Sequence, residues 1–451
     1  MKDFTQGHVS KQILYFALPM LAANVFQQLY NVVDSIVVGN FIGTEALAAV
    51  GASFPVLFVL ISLLFGVSSG ISVVVSQYFG AKEYENVVKA INTFFVFIFA
   101  SSIVMSVVGI YFARDIFIAL HLPKEVINPA VDYLQIYLGG TIFMFGFYGT
   151  NAILRGMGDS KTPLYFVIFS TTLNVILDLV FVITFHWGVK GVAYASVIAQ
   201  AAAFFLSTFF INRDDSLVHL SLKSLVIDWE IFWKSLKIGL PTGLQQSFVA
   251  LGMIAILRIV NDFGTSTVAA FTVAGRLDSF AAMPAMAMSM ALAAFVGQNV
   301  GANEIQRVRE GFKVTLLIAS VISVSVSVVI YFFGEQIMGF FTKDSNVIAI
   351  GYNYLLIVSS FYLVFSSMFI IQGALRGAGD TLIPMFITLF ALWVLRIPFS
   401  IILSRPSFGL GIDGVWWGIP LAWCFGGIAS YIYYRMGKWK NKAVTKPINI
   451  D

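Results

Sequence analysis

Residues 173–183, LNVILDLVFVI, hold one carboxylate, Asp178, in a run that is apolar except for Asn174. An acid in hydrocarbon costs about 3 kcal/mol on insertion scales, so such a residue reads by default as an ion or proton site. Thr171, Asn174 and Asp178 fall at i, i+3 and i+7, one face of a helix. A second stripe runs through Asn24, Gln27, Asn31 and Asp34 at i, i+3, i+7 and i+10. Asp34 lies 15 residues past Pro19 and Asp178 lies 15 residues past Pro163. At about 1.5 Å per residue the two acids reach similar depth. Two carboxylates in one dry pocket do not both stay charged cheaply, so one is expected to carry a proton, which makes a proton carrier. The alternative is a cation site, with oxygens of Asp34, Asp178, Asn174 and Ser196 replacing water around Na+. Both readings stand on the residues alone. Ser196 and Gln200 on one neighbouring segment, and Tyr133, Tyr137 and Asn151 on another, are further candidates for the same pocket. Isolated Ser, Thr, Asn and Gln in membrane helices more often serve as interhelical glue.

The elements that must position these groups follow from composition. Of 451 residues 59% are hydrophobic and 11% charged, and the mean hydropathy is +0.88. Apolar segments recur at 14–40, 52–79, 90–113, 130–154, 163–186, 189–211, 238–260, 268–298, 313–334, 347–375, 383–404 and 412–436. Each is long enough for a helix to cross about 30 Å of hydrocarbon, which takes about 20 residues, and the alternating pattern of a β-barrel is absent. The prediction is an all-α polytopic membrane protein with twelve transmembrane helices. A net charge of +4 gives no case for nucleic acid. The single Cys424 excludes an intrachain disulfide. The polar start MKDFTQGHVSKQ lacks the pattern of a cleaved signal.

Most Lys and Arg fall in one alternate set of loops, including Lys2, Lys11, Arg155, Lys161, Arg376 and Lys438; Arg114, Lys124, Lys190, Lys343 and Arg405 fall in the other. The positive-inside rule then puts both termini in the cytoplasm. The chain also repeats. ILRGMGDSKTP at 153–163 returns as ALRGAGDTLIP at 374–384, and QYFGAKE at 77–83 as QNVGANE at 298–304. Leu18 and Pro19 return at Leu240 and Pro241, and GVKGV at 188–192 as GIDGV at 411–415. The offset stays between 221 and 223, so each repeat holds six helices and both enter the membrane the same way. Two parallel six-helix bundles related by a pseudo-twofold along the membrane normal are expected. The divisions are 1–212, a linker 213–237, 238–437, and a tail 438–451, with Trp229 and Trp233 suited to an interfacial segment. In the paired RGMGD and RGAGD loops, the glycines suit a tight turn, and Asp159 and Asp380 could cap the following helices.

The second repeat departs from the first. Its helices 7 and 11 contain no Asp or Glu. Arg258, Arg276 and Arg396 lie inside its spans, with Asp278 near Arg276 in sequence. For Arg396 a structural ion pair competes with a gate or an anionic-substrate contact. Met283, Met286, Met288 and Met290 offer soft side chains to a cavity or to simple packing.

The stretch LPMLAANVFQQLYNVVDSIVVGNFIGTEALAAVG, the paired RGxGD loops and LNVILDLVFV together resemble the multidrug and toxic compound extrusion (MATE) family over nearly the whole chain. The resemblance implies an alternating-access antiporter, not an enzyme, that exports amphipathic, often cationic compounds in exchange for protons or sodium. It implies an ion site at Asp34, Asn174, Asp178 and Ser196, with Gln27, Tyr133 and Asn151 lining a nearby cavity; Asn31, Tyr137, Gln200, Arg396 and Met283 are added as cavity candidates. No cofactor beyond H+ or Na+ is expected, nor any partner beyond small drug-like molecules and membrane lipids. The expected setting is the bacterial inner membrane, with the chain working as a monomer. Sodium-coupled NorM-type members carry acids in helices 7 and 10, where this chain has Val249 and Phe365, which puts it nearer the DinF-like branch. A lipid-linked oligosaccharide flippase of the same superfamily is the alternative, with three arginines as a partial match. An intramembrane enzyme fares worse: no HExxH or GxSxG occurs, and the histidines sit at span ends or in loops.

Overall fold

The computed structural model describes residues 2–212 and 226–445. Linker residues 213–225 and tail residues 446–451 lie outside that range. The described residues form helices and no strand. Among the described residues ten helices are long and apolar enough to cross a membrane. In chain order the first are α1 (Val9–Val37), α2 (Thr44–Gly80), α3 (Tyr84–Ala119), α4 (Lys124–Gly139), α5 (Thr141–Gly156), α6 (Lys161–Leu179), α7 (Gly188–Ile211) and α8 (Trp229–Asn261). They are followed by α9 (Thr265–Gly301), α10 (Ile305–Gly339), α11 (Ser345–Ser359), α12 (Tyr362–Gly377), α13 (Leu382–Leu389), α14 (Ile397–Leu403) and α15 (Ile412–Met436). Outward faces are apolar, as at Tyr111, Phe209, Leu317 and Phe332, the inverse of a water-facing surface. This is an all-helical polytopic membrane protein.

The fourth and tenth segments, expected as single spans, are each broken in two. α4 and α5 part at Gly140, and α11 and α12 meet at a 51° bend after Ser359. Offset by 221, Gly140 corresponds to Phe361, so the break is itself repeated. Among the described residues three spans contain π-helical stretches. Val38–Ile42 follows α1, Val180–Thr184 follows α6, and Phe390–Arg396 joins α13 to α14. Such widened turns shift backbone hydrogen bonds by one residue and concentrate at functional positions.

Two compact units emerge: unit 1 is Met1–Asp3 with Leu18–Gly243, and unit 2 is Phe4–Ala17 with Leu244–Asp451. Each contains the lead-in of the other's first long helix, and the exchange falls beside the repeated Leu-Pro pairs. In unit 2, Phe4 is 1% exposed; its N–H donates to Gln298 Oε1 at 2.8 Å, and its carbonyl accepts from Arg307 Nη2 at 2.9 Å. Arg307 Nη1 also donates to the Gly7 carbonyl at 3.1 Å. In unit 1 the start of α8 docks through Asp228 N to Thr93 Oγ1 at 2.9 Å, and Lys234 Nζ reaches Tyr78 Oη at 3.3 Å. Residues 229–237, assigned from sequence to the linker, thus form the first turns of α8, with Asp228 Oδ1 accepting from Ile231 N at 3.0 Å.

The RGxGD motifs are explained by packing. A Cβ on Gly156 would strike the Ser72 carbonyl of α2, and one on Gly377 would strike the Ala293 carbonyl of α9. These crossings are equivalent under the repeat. Gly158 (φ 81°) and Gly379 (φ 91°) then turn the chain through the left-handed region. Asp159 Oδ1 caps α6 by accepting from Lys161 N and Thr162 N, both at 3.1 Å. Asp380, 3% exposed, accepts instead from Tyr433 Oη at 2.6 Å. Another repeated contact changes chemistry: Lys190–Asp132 (3.1 Å) in unit 1 becomes Asn353 Nδ2 donating to Asp413 Oδ1 (2.6 Å) in unit 2.

Candidate functional site

In unit 1, α1, α4, α6 and α7 converge on a polar cluster. Asp178 is 0% exposed, and Asn174 and Ser196 are 1% exposed each. Asp178 lies within electrostatic reach of Asp34, on the adjacent α1. Oδ1 of each acid is buried with no hydrogen-bond partner. The Asn174 amide satisfies its neighbours when Nδ2 donates to Asp178 Oδ2 at 3.0 Å and its oxygen accepts from Ser196 N at 3.2 Å. Tyr30 Oη pairs with Ser196 Oγ at 2.8 Å. Gln200 Nε2 donates to Tyr137 Oη at 3.4 Å, and Tyr133 is within electrostatic reach of both acids. A polar cavity of about 20 Å³, enough for about one water, is lined by Gln27, Tyr30, Tyr148, Thr171, Asn174, Ser196 and Gln200 among others. Both acids directly precede a π-helical stretch: Val38 follows Asp34 by four residues and Val180 follows Asp178 by two.

The residues named from sequence separate into groups. Asp34, Asn174, Asp178, Ser196, Gln27, Gln200, Tyr133 and Tyr137 share this neighbourhood. Asn31 is exposed and bonds along its own helix, donating to Gln28 Oε1 at 3.3 Å. Asn151 is 2% exposed on α5 and its Oδ1 has no partner. Its repeat counterpart Gln372 is tied up, donating to Thr388 Oγ1 at 3.0 Å. Tyr30 and Tyr148 were not singled out from sequence. Tyr30 was within reach of the periodicity, since Gln27, Tyr30 and Asp34 fall at i, i+3 and i+7.

Unit 2 builds something different. Met283 is buried in α9. Asp278 and Arg276, two residues apart, point to different sides of α9, and Arg276 is exposed. Asp278 Oδ2 instead accepts from Tyr354 Oη at 3.4 Å, and Arg396 is its charged neighbour. Tyr354 is the repeat counterpart of Tyr133. Among the described residues no group of three His, Cys, Asp or Glu side chains is placed to hold a metal ion.

Acids with buried oxygens beside a water-sized polar cavity, set inside a polytopic helical fold, suit the passage of an ion or solute. The MatE family signature matches residues 19–180 and 241–402, one match in each sequence repeat. The chain belongs to that family, whose members are transporters and not enzymes. It is 34% identical to the Bacillus subtilis (strain 168) protein named Probable multidrug resistance protein YpnP, over 97% of both chains. It is 27% identical to the Thermotoga maritima protein named Probable multidrug resistance protein NorM, over 97% of this chain and 94% of that one. A solved structure described as an outward-facing multidrug resistance MATE family transporter of the MOP superfamily shares its fold, with a TM-score of 0.91 at 24% identity, covering 97% of this chain and 98% of that chain.

Proposed function

We propose that this protein exports amphipathic, often cationic small molecules from the cytoplasm in exchange for protons, working by alternating access in the bacterial inner membrane with both termini cytoplasmic. Relatives named as multidrug resistance proteins support the cargo class. The carrying observation for the driving ion is the state of the oxygens around Asp34 and Asp178. Each acid keeps one buried oxygen without a donor, which is where a proton would bind. A sodium ion would need four or more oxygens turned inward. The Asn174 oxygen already accepts from Ser196 N, its Nδ2 faces Asp178, and Ser196 Oγ pairs with Tyr30, so a sodium ion would have to share or replace these contacts. That arrangement favours proton over sodium coupling. Tyr30 on Ser196, Tyr137 on Gln200 and the water-sized cavity beside them put polar groups next to the acids, from which a proton could be delivered. The test is dye export by the purified protein in liposomes under a pH gradient or a sodium gradient alone. Export driven by the pH gradient is expected. Export driven only by sodium would overturn the assignment.

A further inference from the structure

The interior of unit 2 holds a charged centre that proton coupling at Asp34 and Asp178 does not use. Asp278 on α9 accepts from Tyr354 on α11, with Tyr362 on α12 and Arg396 at the end of the π-helical stretch Phe390–Arg396 within electrostatic reach. Tyr362, 5% exposed, directs its hydroxyl toward the Asp278 carboxylate without reaching hydrogen-bond geometry. Arg396 lies within electrostatic reach of Asp278 and Tyr354, yet forms no ion pair within 4.0 Å and no hydrogen bond among the described residues. Its Nε is buried and unpartnered, and so is Nε1 of Trp416. Trp416 is 0% exposed and its ring packs 5.0 Å from that of Tyr354. Ile397, next to Arg396, packs on the same cluster.

The site therefore pairs a carboxylate that accepts from Tyr354 with two buried N–H groups that have no acceptor. A guanidinium stays charged and carries five donors in a planar fork suited to two carboxylate oxygens. Of these donors Arg396 Nε is buried without an acceptor, and burying a donor unpaired is unfavourable, so the site gains from an acceptor that reaches Arg396. A bare anion would meet repulsion from Asp278. A molecule carrying both a carboxylate and an ammonium would not, because its cation could face Asp278 while its anion faces Arg396. We propose that Arg396 and Asp278 form a binding site for the zwitterionic head of amphipathic cargo, with Arg396 holding the carboxylate and Asp278 the ammonium.

The proposal rests on the export reading only for the arrival of cargo. Equilibrium binding needs no gradient, so it can fail while proton coupling stands, and the reverse. The probes are Nε-dansyl-lysine, its methyl ester and its Nα-acetyl derivative, titrated by dansyl fluorescence against purified full-length protein. Wild type should bind the zwitterion at least about fivefold more tightly than either single-charge derivative, on the scale of a charge-assisted hydrogen bond. Arg396→Gln should bring the zwitterion down to the ester, and Asp278→Asn should bring it down to the acetyl derivative. Arg396→Lys, which keeps the charge but loses the fork, should retain part of the preference. Equal binding of zwitterion and ester by wild type, a comparison that needs no variant, overturns the proposal. So does a preference that survives in Arg396→Gln.

Discussion

In unit 1 the buried atoms without partners include the oxygens Asp34 Oδ1, Asp178 Oδ1 and Asn151 Oδ1, whereas in unit 2 they include the nitrogens Arg396 Nε and Trp416 Nε1. The repeats share a scaffold down to equivalent helix breaks, glycine crossings and the tyrosines Tyr133 and Tyr354. What differs is the sign of the unmet hydrogen-bonding need. Helical positions equivalent to Asp34 and Asp178 fall near Ala255 and Phe399, while unit 2 brings its acid from α9 and adds a guanidinium. The duplicated fold has thus kept its packing and divided its chemistry: unit 1 leaves acid and amide oxygens without donors, unit 2 leaves N–H groups without acceptors.

Substitutions at the charged centres separate the units most sharply. Asp34→Asn and Asp178→Asn should each lower pH-gradient-driven export by at least about tenfold, since an amide of the same shape takes up no proton. They should also remove the dependence of cation binding on pH between about 5 and 8. Asp278→Asn should lower export of zwitterions while leaving the pH midpoint for a simple cation where wild type has it. Both effects are read in one liposome assay with two dyes. A shifted midpoint in Asp278→Asn would join the two centres that the comparison holds apart.

A smaller effect tests the shared scaffold. Asp159 and Asp380 occupy equivalent turns, but Asp159 caps two amides near the surface and Asp380 is buried against Tyr433. Replacement by Ala should cost about 1 kcal/mol at Asp159 and about 2 kcal/mol at Asp380, where the Tyr433 hydroxyl would be left unpaired. Thermal unfolding in detergent measures the order. A larger loss at Asp159 would contradict the different roles assigned to the two turns.

Asp34, Asn174, Asp178 and Ser196 were legible because an acid or amide in an apolar run contradicts its surroundings, and the 3.6-residue period gathers such residues on one face. Tyr30 escaped notice because a tyrosine in a membrane helix reads as ordinary apolar bulk until its hydroxyl is seen on Ser196. Nearness in sequence suggests Arg276 as the neighbour of Asp278, yet residues two apart diverge on a helix, and its neighbours in space lie 76 or more residues away. The exchanged lead-ins were hidden for the same reason: Phe4 meets Gln298 across 294 positions. The π-helical stretches left no compositional mark. Their position beside Asp34, Asp178 and Arg396 is a property of packed helices rather than of local propensity.

The central claim is that the Asp34–Asp178 pair gives up a proton when cationic cargo binds. It is tested most directly by adding a tetraphenylphosphonium salt to purified protein in weakly buffered solution near neutral pH and following a pH indicator dye. Reciprocal linkage requires that if cargo and proton exclude one another, bound cargo displaces protons. The account predicts release that rises with the amount of cation bound in wild type and is absent in Asp34→Asn and Asp178→Asn. Binding by wild type with no proton release, or equal release by the variants, would contradict it.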